Sequence, residues 1–234
     1  TEPPPAGERA PASSDSASTD AAAPRAVTAT VDARTGLYQD SDHTTISTTA
    51  VAARALIKDR VQLTGRYLID VVSSASVDVV TAATSAFREN RHEVTGGAGY
   101  RDGTHTADVG YVYSRENDWE SHTLELGGSR DFLQHNLTVG LGATLVFNDI
   151  WRSGDNNFRR NMNVYGAALT VAGTPSRRDV VSLTYSLSYL SGYQASPYRY
   201  VIFVDEQGLR QSLPEIVPDT RLRHALALRW KRHV

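Results

Sequence analysis

Seven histidines, at positions 43, 92, 105, 122, 135, 224 and 233, are the side chains of this chain best suited to metal ligation or proton transfer. No two of them stand one helical turn apart, and the chain has no cysteine, so neither an imidazole nor a thiolate metal site has the spacing it needs. Ser121 and His122 are the types of a nucleophile and its base, but neighbours on a strand point to opposite faces and cannot form that pair. In "NDIWRSGDNNFRR", Asp149, Asp155, Asn156 and Asn157 offer oxygen ligands for a divalent cation, at a spacing that fits no established cation loop and suits a solvated turn. The pairs Arg159–Arg160 and Arg177–Arg178 present forks that match phosphate oxygens. These residues predict no catalytic centre, metal site or cofactor, and the chain is not expected to be an enzyme.

What must position the charges is a set of strands. In "NLTVGLGATLVFND" (136–149), Leu137, Val139, Leu141, Ala143, Leu145 and Phe147 share one parity, and Thr138, Gly140, Gly142, Thr144 and Asn148 the other, the mark of a strand with one apolar face. The period returns from Ala26 onward in about ten runs, longer than the usual five or six residues. Pro175, Pro197, Pro214 and Pro218 all fall between runs, as they must if the runs donate ladder hydrogen bonds. Short links at Lys58–Arg60, Asp102–Gly103, Asp131–His135 and Thr174–Arg178 alternate with longer ones at Gln39–His43, Val72–Arg91, Arg115–Glu120, Asp149–Arg160 and Ser191–Thr220. Asp102 and Gly103 read as a two-residue hairpin turn of the primed type. Such alternation predicts an all-β, up-and-down antiparallel meander whose two ends meet different surroundings.

Composition limits the choices. The 234 residues are 40% hydrophobic with a mean hydropathy of −0.36, and no apolar run reaches the 18 residues of a membrane helix. A net charge of −2 gives no case for nucleic acid. Lys58 and Lys231 are the only lysines, so basic charge is almost all arginine. Residues 1–24 hold five of the nine prolines and no apolar pattern, which predicts a disordered leader ahead of one β domain over 25–234.

Alternation alone does not say whether the apolar face meets a core or lipid. Runs of 9–11 residues match the length that crosses a membrane when tilted. Tyr38, Tyr111, Tyr113, Phe147, Tyr165 and Tyr189 are assigned to the long-link ends of the apolar faces, and Tyr100 and Trp230 to the short-link ends, as two aromatic girdles. The polar face is rich in Gly, Ser, Thr and Asn and carries Asp32, Arg34, Arg66, Asp70, Asp108, Glu125, Arg221, Arg223 and Arg229. A dry core would bury these charges at great cost, whereas a wet lumen suits them. The expectation is a transmembrane β-barrel with a lipid-facing apolar stripe. Two long links stand apart: 72–90, with Val77, Val79 and Val80, and 194–219, where Tyr200–Val204 followed by Asp205, Gln207 and Gly208 reads as an extra hairpin. Each is a candidate plug, or a surface for a partner or for the other link.

"YLIDVVSSASVDVVTAAT" (67–84), "GYRDGTHTADVGYVYSRENDWES" (99–121), "LTYSLSYLSGYQASPYRYV" (183–201) and "DTRLRHALALRW" (219–230) resemble, in this order, segments of a family of Gram-negative bacterial proteins of unknown function, read as outer-membrane β-barrels. The resemblance runs from about residue 26 onward. It implies a barrel in the outer membrane, exported with its signal peptide removed, and no established activity. Members continue for several strands past "ALALRW" while this sequence stops at Val234, so further strands are expected, with closure at ten as the alternative. The expected role is a pore for small polar solutes, with the nine charged residues of the polar face setting ion preference. A scaffold barrel of a multi-protein envelope complex is the second expectation and a soluble ligand-binding barrel the third. Expected partners are membrane lipids, lipopolysaccharide through Arg159 and Arg160, and envelope proteins.

Overall fold

The computed structural model describes residues 26–39, 45–73 and 88–233. The expected leader, His43, and Val77, Val79 and Val80 of the 72–90 link lie outside the described residues. Twelve strands are described: β1 (Val27–Gln39), β2 (Thr45–Ile57), β3 (Val61–Ser73), β4 (Arg88–Arg101), β5 (His105–Arg115), β6 (Trp119–Phe132), β7 (Leu137–Arg152), β8 (Asp155–Ser176), β9 (Asp179–Gly192), β10 (Tyr200–Val204), β11 (Arg210–Pro214) and β12 (Thr220–Arg232). Ten of them form one antiparallel sheet in chain order, with β12 beside β9, while β10 and β11 pair as a separate hairpin. The expected up-and-down ten-strand meander is the observed topology.

Turn chemistry fixes the short ends. Lys58 and Asp59 both take positive φ, 48° and 55°, the conformation that a tight right-twisted hairpin demands. Leu133, Gln134 and His135 do the same between β6 and β7. The β4–β5 turn differs from expectation by one residue. Gly103 and Thr104 are its central pair, Gly103 alone has positive φ (95°), and Asp102 precedes them, its carboxylate accepting from the Thr104 and His105 amides at 3.0 and 2.7 Å. These bonds, the His105 amide foremost, hold the Asp102 carboxyl below its ordinary value.

Two expected links are shorter than the sequence suggested. β7 and β8 run on to Arg152 and from Asp155, leaving only Ser153 and Gly154 between them, because Asp149 to Trp151 continue the ladder against Asn161 to Arg159 and the polar residues after Asp155 are absorbed as a register shift. β6 begins inside the expected Arg115–Glu120 link and extends over fourteen residues because Trp119–Ser121 pair with Ile150–Asn148.

The register assigns each residue a face. One hydrogen-bonded row runs Val31, Ala53, Gly65, Gly96, Tyr111, Leu124, Leu145, Tyr165, Tyr189, Leu222, and is apolar or glycine throughout. The opposite parity is the polar face, and it holds the few buried positions. Leu68, Asn148, Ile150 and Leu190, the buried residues, all belong to it, Ile150 at 1% exposure. The apolar face is open: Leu141 is 66% exposed and Leu226 70%. A fold that buries its oil against itself does the reverse.

The row through Val27, the first residue of β1, reaches β12 at Leu226, six residues short of that strand's end at Arg232. Such stagger means that the strands are sheared past one another along the sheet. Within the described residues β1 and β12 each pair on one side only, and every residue of both is exposed.

Candidate functional site: the polar face

The nine charged residues singled out above all have polar-face parity, because each is opposite in parity to the apolar row of its strand; Asp70 is half-buried and the other eight are exposed. They divide into three groups. Across β1–β4, Arg66 reaches Glu93 at 3.4 Å, and Arg91 donates to the same carboxylate at 2.6 Å while its Nε lies 3.8 Å from Glu116. Thr48 donates to Asp70 at 2.5 Å. Beside this network a shallow concavity of about 400 Å³ is lined by Thr30, Asp32, Arg54, Thr64, Arg66 and Thr95.

On β5 and β6 the two carboxylates lie flat on glycines. Asp108 is paired with Gly127 across the ladder, and a Cβ at Gly127 would fall on the Asp108 carboxylate. Glu125 faces Gly110 in the same way, its Oε2 3.3 Å from where a Cβ would sit. Small residues on this face therefore make room for the charges.

On β12, Arg221 is paired with Leu190, Arg223 with Ser188 and Arg229 with Ser182. These three arginines have no ion-pair partner among the described residues.

Seven of the eight assigned girdle residues lie on the apolar face. Phe147 meets Tyr165 edge-on at 6.3 Å, and Tyr165 stacks on Tyr189 at 6.4 Å. Tyr38 is the correction: it pairs with Ile46 on the face of Asp32 and Arg34, because the alternation from Val27 runs to Gln39 without a bulge. Sequence reasoning missed three histidines. Tyr67 Oη lies 2.8 Å from His92 Nδ1, Tyr111 Oη 2.6 Å from His122 Nδ1 and Tyr185 Oη 2.7 Å from His224 Nδ1, each pair diagonal across neighbouring strands on the apolar face. His92, His122 and His224 each stand within a few residues of the long-link end of their strands. The only available signal was their parity, which has meaning once the register is known.

Other candidates come apart. Arg159 pairs with Trp151 on the apolar face, while Arg160 pairs with Ile150 on the polar one, so the two do not form one phosphate clamp. Asp149 is bonded to Asn161 and Asp155 to Arg152, and among the described residues no group of three or more acidic or histidine side chains is placed to hold a metal ion. Ser121 is paired with Asn148 on the polar face, and His122 with Phe147 on the apolar one.

At the long-link end Arg152 anchors the extra hairpin. Its Nε donates to the Pro197 carbonyl at 2.9 Å, and its guanidinium lies over the Phe158 and Tyr200 rings at 4.3 and 5.6 Å. Burial raises the Tyr193 phenol above its ordinary value, partly offset by Arg152 and Arg160. Apart from Tyr200 beneath Arg152, β10 and β11 pack on no other strand among the described residues and are exposed along their whole length.

With this geometry in place, a protein-family model matches residues 80–170 and again 159–234. The chain belongs to DUF3570, a family of proteins of unknown function. Among curated proteins none matches the chain. The DUF3570 match takes in Asp108, Glu125 and the three β12 arginines, whereas Asp32, Arg34, Arg66 and Asp70 precede it.

Proposed function

We propose that this DUF3570 protein is a transmembrane β-barrel of the bacterial outer membrane whose polar face lines a water-filled passage for small polar solutes. The observation that supports the reading is the orientation of the sheet: large apolar residues such as Leu141 and Phe147 lie open on one face, while the opposite parity carries the charged and small polar residues and holds all four buried residues. On β7 the open face is apolar from Leu137 to Phe147 and then turns to Asp149. Ten steps of about 3.4 Å, tilted by about 40°, span roughly 26 Å, close to the apolar band of about 25 Å on such barrels. Above the band sit polar groups, Arg115, Glu120 and Asp149 in one row with His92.

In lipid the free edges of β1 and β12 must be paired, since each unmet backbone group costs several kcal/mol there. β1 rises from the short-link end and β12 returns to it, so the edges are antiparallel and close directly or through an even number of further strands.

The test is fractionation followed by conductance. The protein should need detergent for extraction, change gel mobility on heating and conduct in planar bilayers. Recovery in the soluble fraction would overturn the membrane reading. A folded, detergent-dependent but silent protein would overturn the passage and leave the scaffold reading. One observation favours that second reading: on the β10–β11 hairpin and just after it, Val201, Ile202, Val204, Leu213 and Ile216 are all exposed, Ile216 at 91%, as a surface for a protein partner would be.

A further inference from the structure

We infer that the passage selects anions, and that its anion track is the β9–β12 wall, where Arg223 and Arg229 stand opposite Ser188 and Ser182. The inference rests on the barrel reading above and adds a substrate class to it: small solutes with several anionic oxygens, such as phosphates and carboxylates.

Charge on the polar face is segregated by strand. Its described carboxylates along the sheet, Asp32, Asp70, Glu93, Asp108, Glu125 and Asp131, all lie on β1–β6. There they are interleaved with cations, and the Arg66–Glu93–Arg91 contacts neutralise part of the charge. On β7, β8, β9 and β12, apart from Asp155 bonded to Arg152 at the β7–β8 tip, no carboxylate among the described residues has this parity. The cations there are Arg160 on β8 and Arg221, Arg223, Arg229 and Lys231 on β12.

Between the arginines the same wall presents hydroxyls. Ser182, Thr184, Ser186 and Ser188 follow one another along β9, and Thr184 lies 3.0 Å from Thr170. A guanidinium fork beside hydroxyl donors holds an oxyanion without dehydrating it fully, which permits both entry and release. The chain's overall charge of −2 conceals this basic half-wall. The face of the arginines does not depend on what meets the β12 edge, because their parity is fixed by pairing with β9.

Reversal potentials of the full chain in planar bilayers under a potassium chloride gradient test the inference. The wild type should favour chloride over potassium on the order of threefold or more. The double variant Arg223→Glu/Arg229→Glu should bring the ratio below one, while Arg66→Gln, in the neutralised half, should move it much less. Millimolar inorganic phosphate should reduce the chloride current of the wild type and not that of the double variant. Heat-dependent gel mobility certifies folding, and Arg223→Gln/Arg229→Gln replaces the glutamate pair if that pair fails to fold. A conducting protein without chloride preference, or with a preference unmoved by the β12 variants, overturns the inference and leaves the passage standing. A folded, silent protein overturns both.

Discussion

Leu141 lies near the middle of the apolar stretch of β7 and is 66% exposed, so an arginine there meets whatever surrounds the sheet. In water the exchange of an exposed leucine for arginine changes stability by at most about 0.5 kcal/mol, since little burial is lost. In hydrocarbon the same arginine costs about 2 to 4 kcal/mol near the midplane and about 0 to 1 near the interfaces. The two surroundings differ by about 1.5 kcal/mol or more, a factor of roughly 10 or more in the folding equilibrium. Ser186→Arg on β9 is the control, because Ser186 has polar-face parity and sits between Thr184 and Ser188. Trp230→Arg at the short-link end of β12 is the depth control. Urea titration of protein folded into lipid vesicles measures all three, with an unchanged m-value required for comparison. Leu141→Arg should be the most destabilised by at least about 2 kcal/mol, with Trp230→Arg between it and Ser186→Arg. Equal midpoints for Leu141→Arg and Ser186→Arg would refute the claim that the open face meets lipid.

Three further outcomes follow from local geometry. Asp59→Gly should raise the unfolding free energy from urea titration by about 0.5 kcal/mol, because a left-handed non-glycine residue costs about 1–2 kcal/mol and glycine's added unfolded entropy returns about 0.5–1. Gly192→Ala should cost more than about 2 kcal/mol and lower the melting temperature by about 4–8 °C, since Gly192 has φ 104° and a Cβ there would strike the Asn161 carbonyl. At the β10–β11 tip, Gln211, then the Leu209 and Gln207 amides, hold the Asp205 carboxyl below its ordinary 3.8. The stabilisation is therefore complete above pH 3.8 and lost as pH falls through the lowered value, so hydrogen exchange at the Leu209 amide should accelerate only below that point, and Asp205→Asn should remove the pH dependence.

Alternation along 137–147 was enough to read β7 and its two faces, and the Asp205–Gly208 turn was enough to read the hairpin, because both signals are local. The β7–β8 link was misjudged for the opposite reason. Arg152 to Asn157 are turn-forming and polar in type, yet Arg152 pairs with Asp155 and Trp151 with Arg159, and the residues between are taken up in a register shift, which only pairing reveals. Tyr38 shows how residue type misleads: an aromatic near a strand end suggested the girdle, but parity sends it to the polar face. The nine charged positions were legible as one face because parity within each strand suffices. Their division into a balanced half and a basic half needed the strand order, as did the Tyr–His pairs, whose members lie 11 to 39 residues apart.

The neighbour-to-neighbour order of the ten-strand sheet dictates how such a molecule is made. Each internal ladder joins strands consecutive in the sheet, most of them linked by a few residues, and such local hairpins form early and rapidly. In the proposed barrel, sealing the seam at β1 is the one event that must wait for the later strands. Until then two thirteen-residue templates invite other chains. Crowded, unassisted refolding should accordingly yield aggregates, and success should depend on dilution or on a helper that shields the two exposed edges.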